Sequence, residues 1–136
     1  MDAVERAVAQ LTQGVADESL AQLCRDLGLK LLTMFGSAVR DPSTARDVDL
    51  AYQRDRDRPH VSHLDIVNAL GERYGDSLDV MDLDAADSVA RFAGLHGVEV
   101  LYEAAPGDYA EAQLAAFRAF CDTQWLRDRA LEVLAK

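Results

Sequence analysis

The hexapeptide Asp47-Val48-Asp49-Leu50-Ala51-Tyr52 constrains this chain more than any other stretch. In a strand, residues two apart share a face. Val48 and Leu50 then turn into a core, while Asp47 and Asp49 project side by side. Two ionised carboxylates at that spacing repel each other unless something positive sits between them. Upstream, Leu29 to Phe35 is an apolar run interrupted only by Lys30 and Thr33, which reads as a buried strand. Gly36-Ser37 breaks that run where a short helix starts, over Ala38 to Arg40. A loop through Asp41-Pro42-Ser43 then leads to the acidic pair.

A hard divalent cation answers the repulsion. Mg²⁺ takes oxygen ligands at roughly 2.0–2.1 Å and shares its shell with substrate phosphates. A Gly-Ser turn offers a phosphate exposed N–H groups, a hydroxyl donor and no obstructing side chain. Phosphate cradle plus carboxylate pair is the layout of metal-assisted nucleotidyl transfer, with two metals about 3.5–4 Å apart.

At these residues the chain resembles a known family. Phe35-Gly36-Ser37, nine intervening residues and Asp47-x-Asp49 are similar to the signature of the nucleotidyltransferase superfamily related to DNA polymerase β. The short length points to its minimal branch, the MntA-type antitoxins paired with HepT-type toxins. The family often reads Gly-Ser-Arg-Ala-Arg-Gly where this chain has Gly36-Ser37-Ala38-Val39-Arg40-Asp41, and often Ser where Arg46 stands. The resemblance implies a third carboxylate on a later strand, which Asp79 within Leu78 to Leu83 supplies. It further implies Asp47, Asp49 and Asp79 as catalytic residues and Mg²⁺ ligands, with ATP as substrate. Gly36 and Ser37 would hold the β- and γ-phosphates. Arg40 or Arg46 would neutralise triphosphate charge, and nothing in the sequence chooses between them. The activity so implied is protein adenylylation, AMP passing from ATP to a tyrosine of a HepT-type toxin, a helical RNase.

Composition narrows the setting. The 136 residues suit a single domain, 1–136, with a helical N-terminus over 2–27, a catalytic core over 28–103 and a C-terminal helix over 107–135. Cys24 and Cys121 form neither a disulfide framework nor a close-spaced ligand pair, which suits a reducing, cytoplasmic setting. No apolar run approaches the ~20 residues of a membrane span, and the N-terminus lacks the pattern of a signal peptide. The net charge of −10 disfavours a phosphate backbone as direct partner. In the densest basic run, Arg54 to Arg58, acids alternate with bases, so a basic protein fits better than nucleic acid.

The expected fold is α/β: a small mixed sheet of about four strands flanked by helices, in a nucleotidyltransferase arrangement, with a long C-terminal helix. Helices are predicted over Asp2–Leu11, from Asp17 to a stop at Gly28, from Pro59 to Gly75, and over Ala85–Leu95 behind an Asp84 cap. Val61, Leu64, Val67 (or Asn68), Leu70 and Tyr74 form the expected apolar face of the third. His60 and His63 read as exposed residues at its start, since no third ligand is spaced to join them. Strands are predicted over Leu78–Leu83 and Val98–Tyr102. In the C-terminal helix, Leu114, Phe117, Cys121 and Trp125 make one stripe, and Phe120, Leu126, Leu131, Val133 and Leu134 add apolar surface at other angles. Two readings fit that excess: core against the N-terminal helices, or an exposed patch that docks a partner in a hetero-oligomer. Two other functions fit the chain as well, a binding module that masks its toxin and a nucleotidyltransferase for a small hydroxylated substrate.

Overall fold

The computed structural model describes residues 1–135; Lys136 lies outside them. Helix α1 (Ala3–Ala16) opens on a capping box, the Asp2 carboxylate accepting from the Glu5 N–H while Glu5 reaches back to the Asp2 N–H. After it come α2 (Ser19–Asp26), β1 (Leu29–Phe35), α3 (Ser37–Arg40), β2 (Val48–Arg54), α4 (His63–Tyr74) and β3 (Leu78–Asp82). The chain continues through α5 (Ser88–Ala93), β4 (Glu99–Glu103), α6 (Asp108–Asp122) and α7 (Gln124–Ala135). No helix among the described residues is long and apolar enough to cross a membrane.

The strands form one mixed sheet in the order β3-β2-β1-β4. β1 runs antiparallel to both β2 and β4, whereas β2 and β3 are parallel. A parallel pair needs a crossover, and α4 provides it. One sheet face, through Leu32, Met34, Val48, Leu50 and Tyr52, joins the core side chains of α1, α2 and α4, including Leu11, Leu20, Ile66 and Leu70. The other face carries Leu31 and Ala51 into a smaller cluster with Leu83, Leu95 and Ala116.

That smaller cluster contains a buried polar side chain. Thr33 is fully buried, and its hydroxyl donates to the Gly94 carbonyl at 2.7 Å. Gly94 sits so close to the sheet that an added Cβ would lie 2.6 Å from Met81 Cε and 3.1 Å from Ala51 Cβ. The hydrogen bond therefore fastens the end of α5 to β1. Thr33→Val keeps the shape and removes the donor, so it should cost about 1–3 kcal/mol. A urea titration would show the loss as a lower midpoint at unchanged slope. An unchanged midpoint would mean that the Gly94 carbonyl does not depend on Thr33.

Several element boundaries differ from expectation. α4 starts at His63, capped by Ser62, whose hydroxyl accepts from the Asp65 N–H at 3.1 Å. Its buried face is Ile66, Leu70 and Tyr74, while Leu64 is exposed. The later start rotates the apolar arc, and Val61, outside the helix, packs on the core as loop. α5 is capped by Asp87, not Asp84, and covers six residues. Arg91 accounts for the shift: it donates to the carbonyls of Leu83 and Ala86 and holds that segment as loop.

The C-terminal helix runs as α6 and α7, separated by Thr123. The Thr123 hydroxyl lies 3.0 Å from the Ala119 carbonyl and 3.0 Å from Ser88 Oγ, and it accepts from Arg127 Nη1 at 2.7 Å. Arg127 Nη2 takes the Phe120 carbonyl at 2.9 Å. Side chains thus compete for the carbonyls that carry a helix forward. Of the two readings of the apolar excess, exposure holds. α7 buries no residue, Trp125 is 63 % and Leu134 81 % exposed, and Leu114 and Phe117 are half exposed. Phe120 alone turns inward, stacked on Phe92 at 4.4 Å between ring centroids.

Candidate active site

Three chain segments meet at one end of the sheet. β1 ends at Phe35, which pairs with Asp49 of β2. On the other side of β2, Asp49 pairs in register with Asp79 of the parallel strand β3. Neighbouring residues of paired strands share a face, so the two carboxylates stand on adjacent strands on the side of Ala51 and Met81. Asp47 lies one residue before β2, not within it. Strand pairing explains this: the Val48 N–H donates to the Ser77 carbonyl at 2.7 Å, and the β2–β3 ladder starts there. The close pair across the sheet is therefore Asp49–Asp79, with Asp47 as a flanking carboxylate.

The electrostatics show that all three interact. Burial raises the Asp49 carboxyl above the usual carboxylate range, and the charges of Asp79 and then Asp47 raise it further. Among the described residues no ion pair or side-chain hydrogen bond engages Asp47, Asp49 or Asp79. Among the described residues nothing neutralises them.

Gly36 closes the site from the β1 side. Its φ of 76° and ψ of −154° belong to a region open to glycine, and a Cβ there would collide with Asp49 Oδ2. Backbone and carboxylate can approach this closely only because the side chain is missing. Gly36 is also the N-cap of α3 and supplies no side-chain cap. In the first turn of α3 the Val39 N–H donates to the Gly36 carbonyl at 3.2 Å, which leaves the Ser37 and Ala38 N–H groups open to a ligand. Ser37 follows at once, half-buried.

The remaining sequence candidates lie around this edge. Arg40 ends α3 and Arg46 directly precedes Asp47; both are exposed. Asp41 turns to its own loop, accepting from the Ser43 hydroxyl at 2.6 Å and the Ser43 N–H at 3.1 Å, and those bonds hold its carboxyl below the usual range.

Asp82 stands on the opposite face. It pairs with Tyr52 in the ladder and forms an ion pair with Arg54. Arg54 Nη2 also donates to the Tyr52 hydroxyl at 3.3 Å, and that hydroxyl lies 2.7 Å from His63 Nδ1. Burial, then the Asp82 charge, pushes the Tyr52 phenol up to about 12. This network was missed in the sequence, although Tyr52 and Arg54 are two apart on one strand and so share a face. His60 and His63 are both exposed, and His63 takes part through Tyr52.

Among the described residues no group of three or more His, Cys, Asp or Glu side chains is gathered so as to hold a metal ion. The edge at Asp49 is open and all-oxygen. That donor set suits Mg²⁺, which keeps several waters and binds through one or two carboxylates plus substrate phosphates.

The chain matches no protein-family model, and no curated protein is similar to it in sequence. Solved structures are similar in fold. One described as the toxin–antitoxin MntA–HepT has a TM-score of 0.67 at 16% identity, over 88% of this chain and 96% of that one. A toxin–antitoxin structure with AMP-PNP has a TM-score of 0.69 at 17% identity, over 88% and 98%. A third, a tri-AMPylated Shewanella oneidensis HEPN toxin in complex with MNT antitoxin, has a TM-score of 0.68 at 17% identity, over 91% and 99%. The mixed four-stranded sheet, its flanking helices and the long helical C-terminus are the nucleotidyltransferase-like fold of these structures.

Proposed function

We propose that this chain is an MntA-type minimal nucleotidyltransferase antitoxin, a cytoplasmic, Mg²⁺-dependent protein adenylyltransferase whose substrates are ATP and a tyrosine of a HepT-type toxin. One observation carries the reading: Asp49 stands in register with Asp79, close against the bare Gly36 backbone, and among the described residues neither carboxylate has an ion-pair partner. Structures of the same fold described as holding AMP-PNP or an AMPylated toxin support it.

Asp47, Asp49 and Asp79 would hold Mg²⁺, which supplies charge neutralisation and Lewis acidity to a phosphoryl group. Gly36 and Ser37 receive the β- and γ-phosphates through open N–H groups and the Ser37 hydroxyl. Arg40 or Arg46 offsets the remaining triphosphate charge. The tyrosine oxygen attacks the α-phosphorus, its proton passes to the Asp79 carboxylate, and pyrophosphate leaves. The half-exposed ridge of Leu114, Phe117 and Trp125 is the surface for the toxin. A net charge of −10 favours a basic toxin over nucleic acid.

The same exposed ridge favours a second reading, in which the chain neutralises its toxin by covering it. Titration separates the two. A catalyst at sub-stoichiometric dose, given ATP and Mg²⁺, silences an excess of toxin, and the silencing outlasts separation of the proteins. A mask needs one equivalent, ignores ATP and releases active toxin. The Asp47→Asn, Asp49→Asn double variant keeps the ridge and lacks the carboxylates, so it should fail to protect. Full protection by that variant at equal dose without ATP would overturn the catalytic reading.

A further inference from the structure

β3 is an edge strand, with β2 on one side and no strand on the other. In its parallel ladder the Ser77 carbonyl takes the Val48 N–H, and the Leu83 N–H donates to the Tyr52 carbonyl. Such a ladder uses alternate residues. Asp79 and Met81 therefore turn their backbone groups to β2, and Leu78 and Val80 turn theirs outward. Among the described residues no turn, loop or side chain satisfies the N–H or the carbonyl of Leu78 or Val80. Free edges are commonly blunted by Lys, Pro, a bulge or a covering element. The other edge strand, β4, shifts register against β1. β3 reads Leu78-Asp79-Val80-Met81-Asp82, keeps an unbroken register with β2 and has no fully buried residue.

We propose that this edge seats the acceptor: an extended, basic segment of the partner protein adds to β3 as an antiparallel fifth strand and so delivers its tyrosine beside Asp79. In strand addition, main-chain hydrogen bonds supply affinity and alternate side chains supply specificity. Antiparallel pairing is the more stable per residue, and β3 itself sets the register. Leu78 and Val80 become the hydrogen-bonded positions. Asp79 between them becomes the close, non-bonded position, with a Cα–Cα distance of about 4.5 Å. The incoming residue opposite Asp79 then takes the fourth place in the row Phe35, Asp49, Asp79, on the carboxylate face. A tyrosine there is long enough to lean over Asp79 toward Asp49.

Charge specifies the segment. On the α4 side of the edge lies a shallow groove lined by Val67, Glu72, Asp76 and Leu78, in which Glu72 and Asp76 are exposed. A second groove, along Val80 to Asp82, carries Asp87. The guanidiniums nearby are engaged. Arg54 pairs with Asp82, Arg73 donates to the Ser19 carbonyl, and Arg91 donates to those of Leu83 and Ala86. The rim is thus acidic and suits Lys or Arg, whereas a second copy of this chain would bring acid to acid.

The inference takes its acceptor from the catalytic reading, but docking is measured apart from catalysis. The probe is the peptide Lys-Val-Lys-Tyr-Lys-Val-Lys, whose tyrosine and valines share one face and whose lysines share the other. Saturating peptide should slow hydrogen exchange of the Leu78 and Val80 amides by about tenfold, far more than that of Asp79 and Met81, which are already bonded to β2. Val80→Pro removes an outward donor and no bond to β2, so the fold and ATP binding should persist while peptide affinity falls by about tenfold. The Glu72→Lys, Asp76→Lys double variant changes only exposed side chains and should weaken the peptide by a similar factor at an unchanged melting temperature. The same peptide with Glu for Lys should bind more weakly still. A lysine peptide that fails to bind at millimolar concentration overturns the proposal. So does one that leaves Leu78 and Val80 unprotected, or one that the double variant or a folded Val80→Pro variant binds as tightly as wild type. Protected amides without AMP transfer to the peptide would keep the docking and sink the catalytic reading. AMP transfer that Val80→Pro leaves unimpaired would do the opposite.

Discussion

Asp49→Asn is expected to abolish AMP transfer while leaving the metal-free protein at least as stable as wild type. The activity side follows from the missing charge, since an amide gives a divalent cation a far weaker ligand between Asp47 and Asp79. The stability side follows from linkage. The folded state raises the Asp49 carboxyl above its unfolded value, so folding favours the protonated form. Stability from this group is present below the ordinary carboxylate pKa of about 3.9 and is lost as pH climbs to the raised folded value. Asn never ionises and escapes that loss. The variant should therefore melt with wild type in acid and at or above it near neutrality, and the neutral-pH gap should shrink when Mg²⁺ and nucleotide are added. Melting curves at both pH values, run beside label transfer from ATP, give the answer. A variant that loses activity by failing to fold would make the carboxylate structural.

The second large effect concerns Asp79 and Asp82, three residues apart on β3 and on opposite faces of the sheet. Asp79→Ala should lower turnover by the ~10²–10⁴-fold of a lost general base and leave the fold alone, because the carboxylate is exposed and engages no protein group among the described residues. Asp82→Ala should do the reverse. It strands the half-buried Arg54 guanidinium, which also holds Tyr52 and the Val61 carbonyl, so the melting temperature falls while folded enzyme keeps most of its turnover. If Asp82→Ala proves the stronger catalytic lesion, the active face is the Tyr52 side and the site described above is wrong.

What the sequence disclosed, and what it withheld, divides along the range of the forces involved. β1 was legible to the residue because an apolar run ending in Gly-Ser has one local solution. Asp87 was not legible as the cap of α5. Asp84 and Asp87 are equivalent by composition, and the choice falls to Arg91 and to the seat of Gly94 on Met81, both tertiary. Ile66 replaced Leu64 in the core because the helix start moved to Ser62, a shift that the apolar residues alone do not encode. Asp47 was read onto the strand because alternation extends through it, while the ladder begins at Val48 for reasons that lie in β3. The register bringing Asp79 beside Asp49 lay beyond local pattern altogether, since it depends on the length of α4 and its loops. The resemblance to a family pointed to Asp47, Asp49 and Asp79, and the fold shows that Asp49 and Asp79 are the neighbours.

The sheet order has a consequence for how the molecule is dismantled. β1 and β2 are each hydrogen-bonded on both sides, so the backbone that carries Phe35, Gly36 and Asp49 belongs to the innermost ladders. The helical arm is attached very differently: α7 buries nothing, and its anchors are Arg127 and the hydroxyl of Thr123. Amide exchange should run from fast in α7 to slowest in β1 and β2. A protease would find the Thr123 junction long before it found the sheet. Digestion stopped there leaves the carboxylates and the glycine turn on a folded body stripped of Trp125 and the rest of α7.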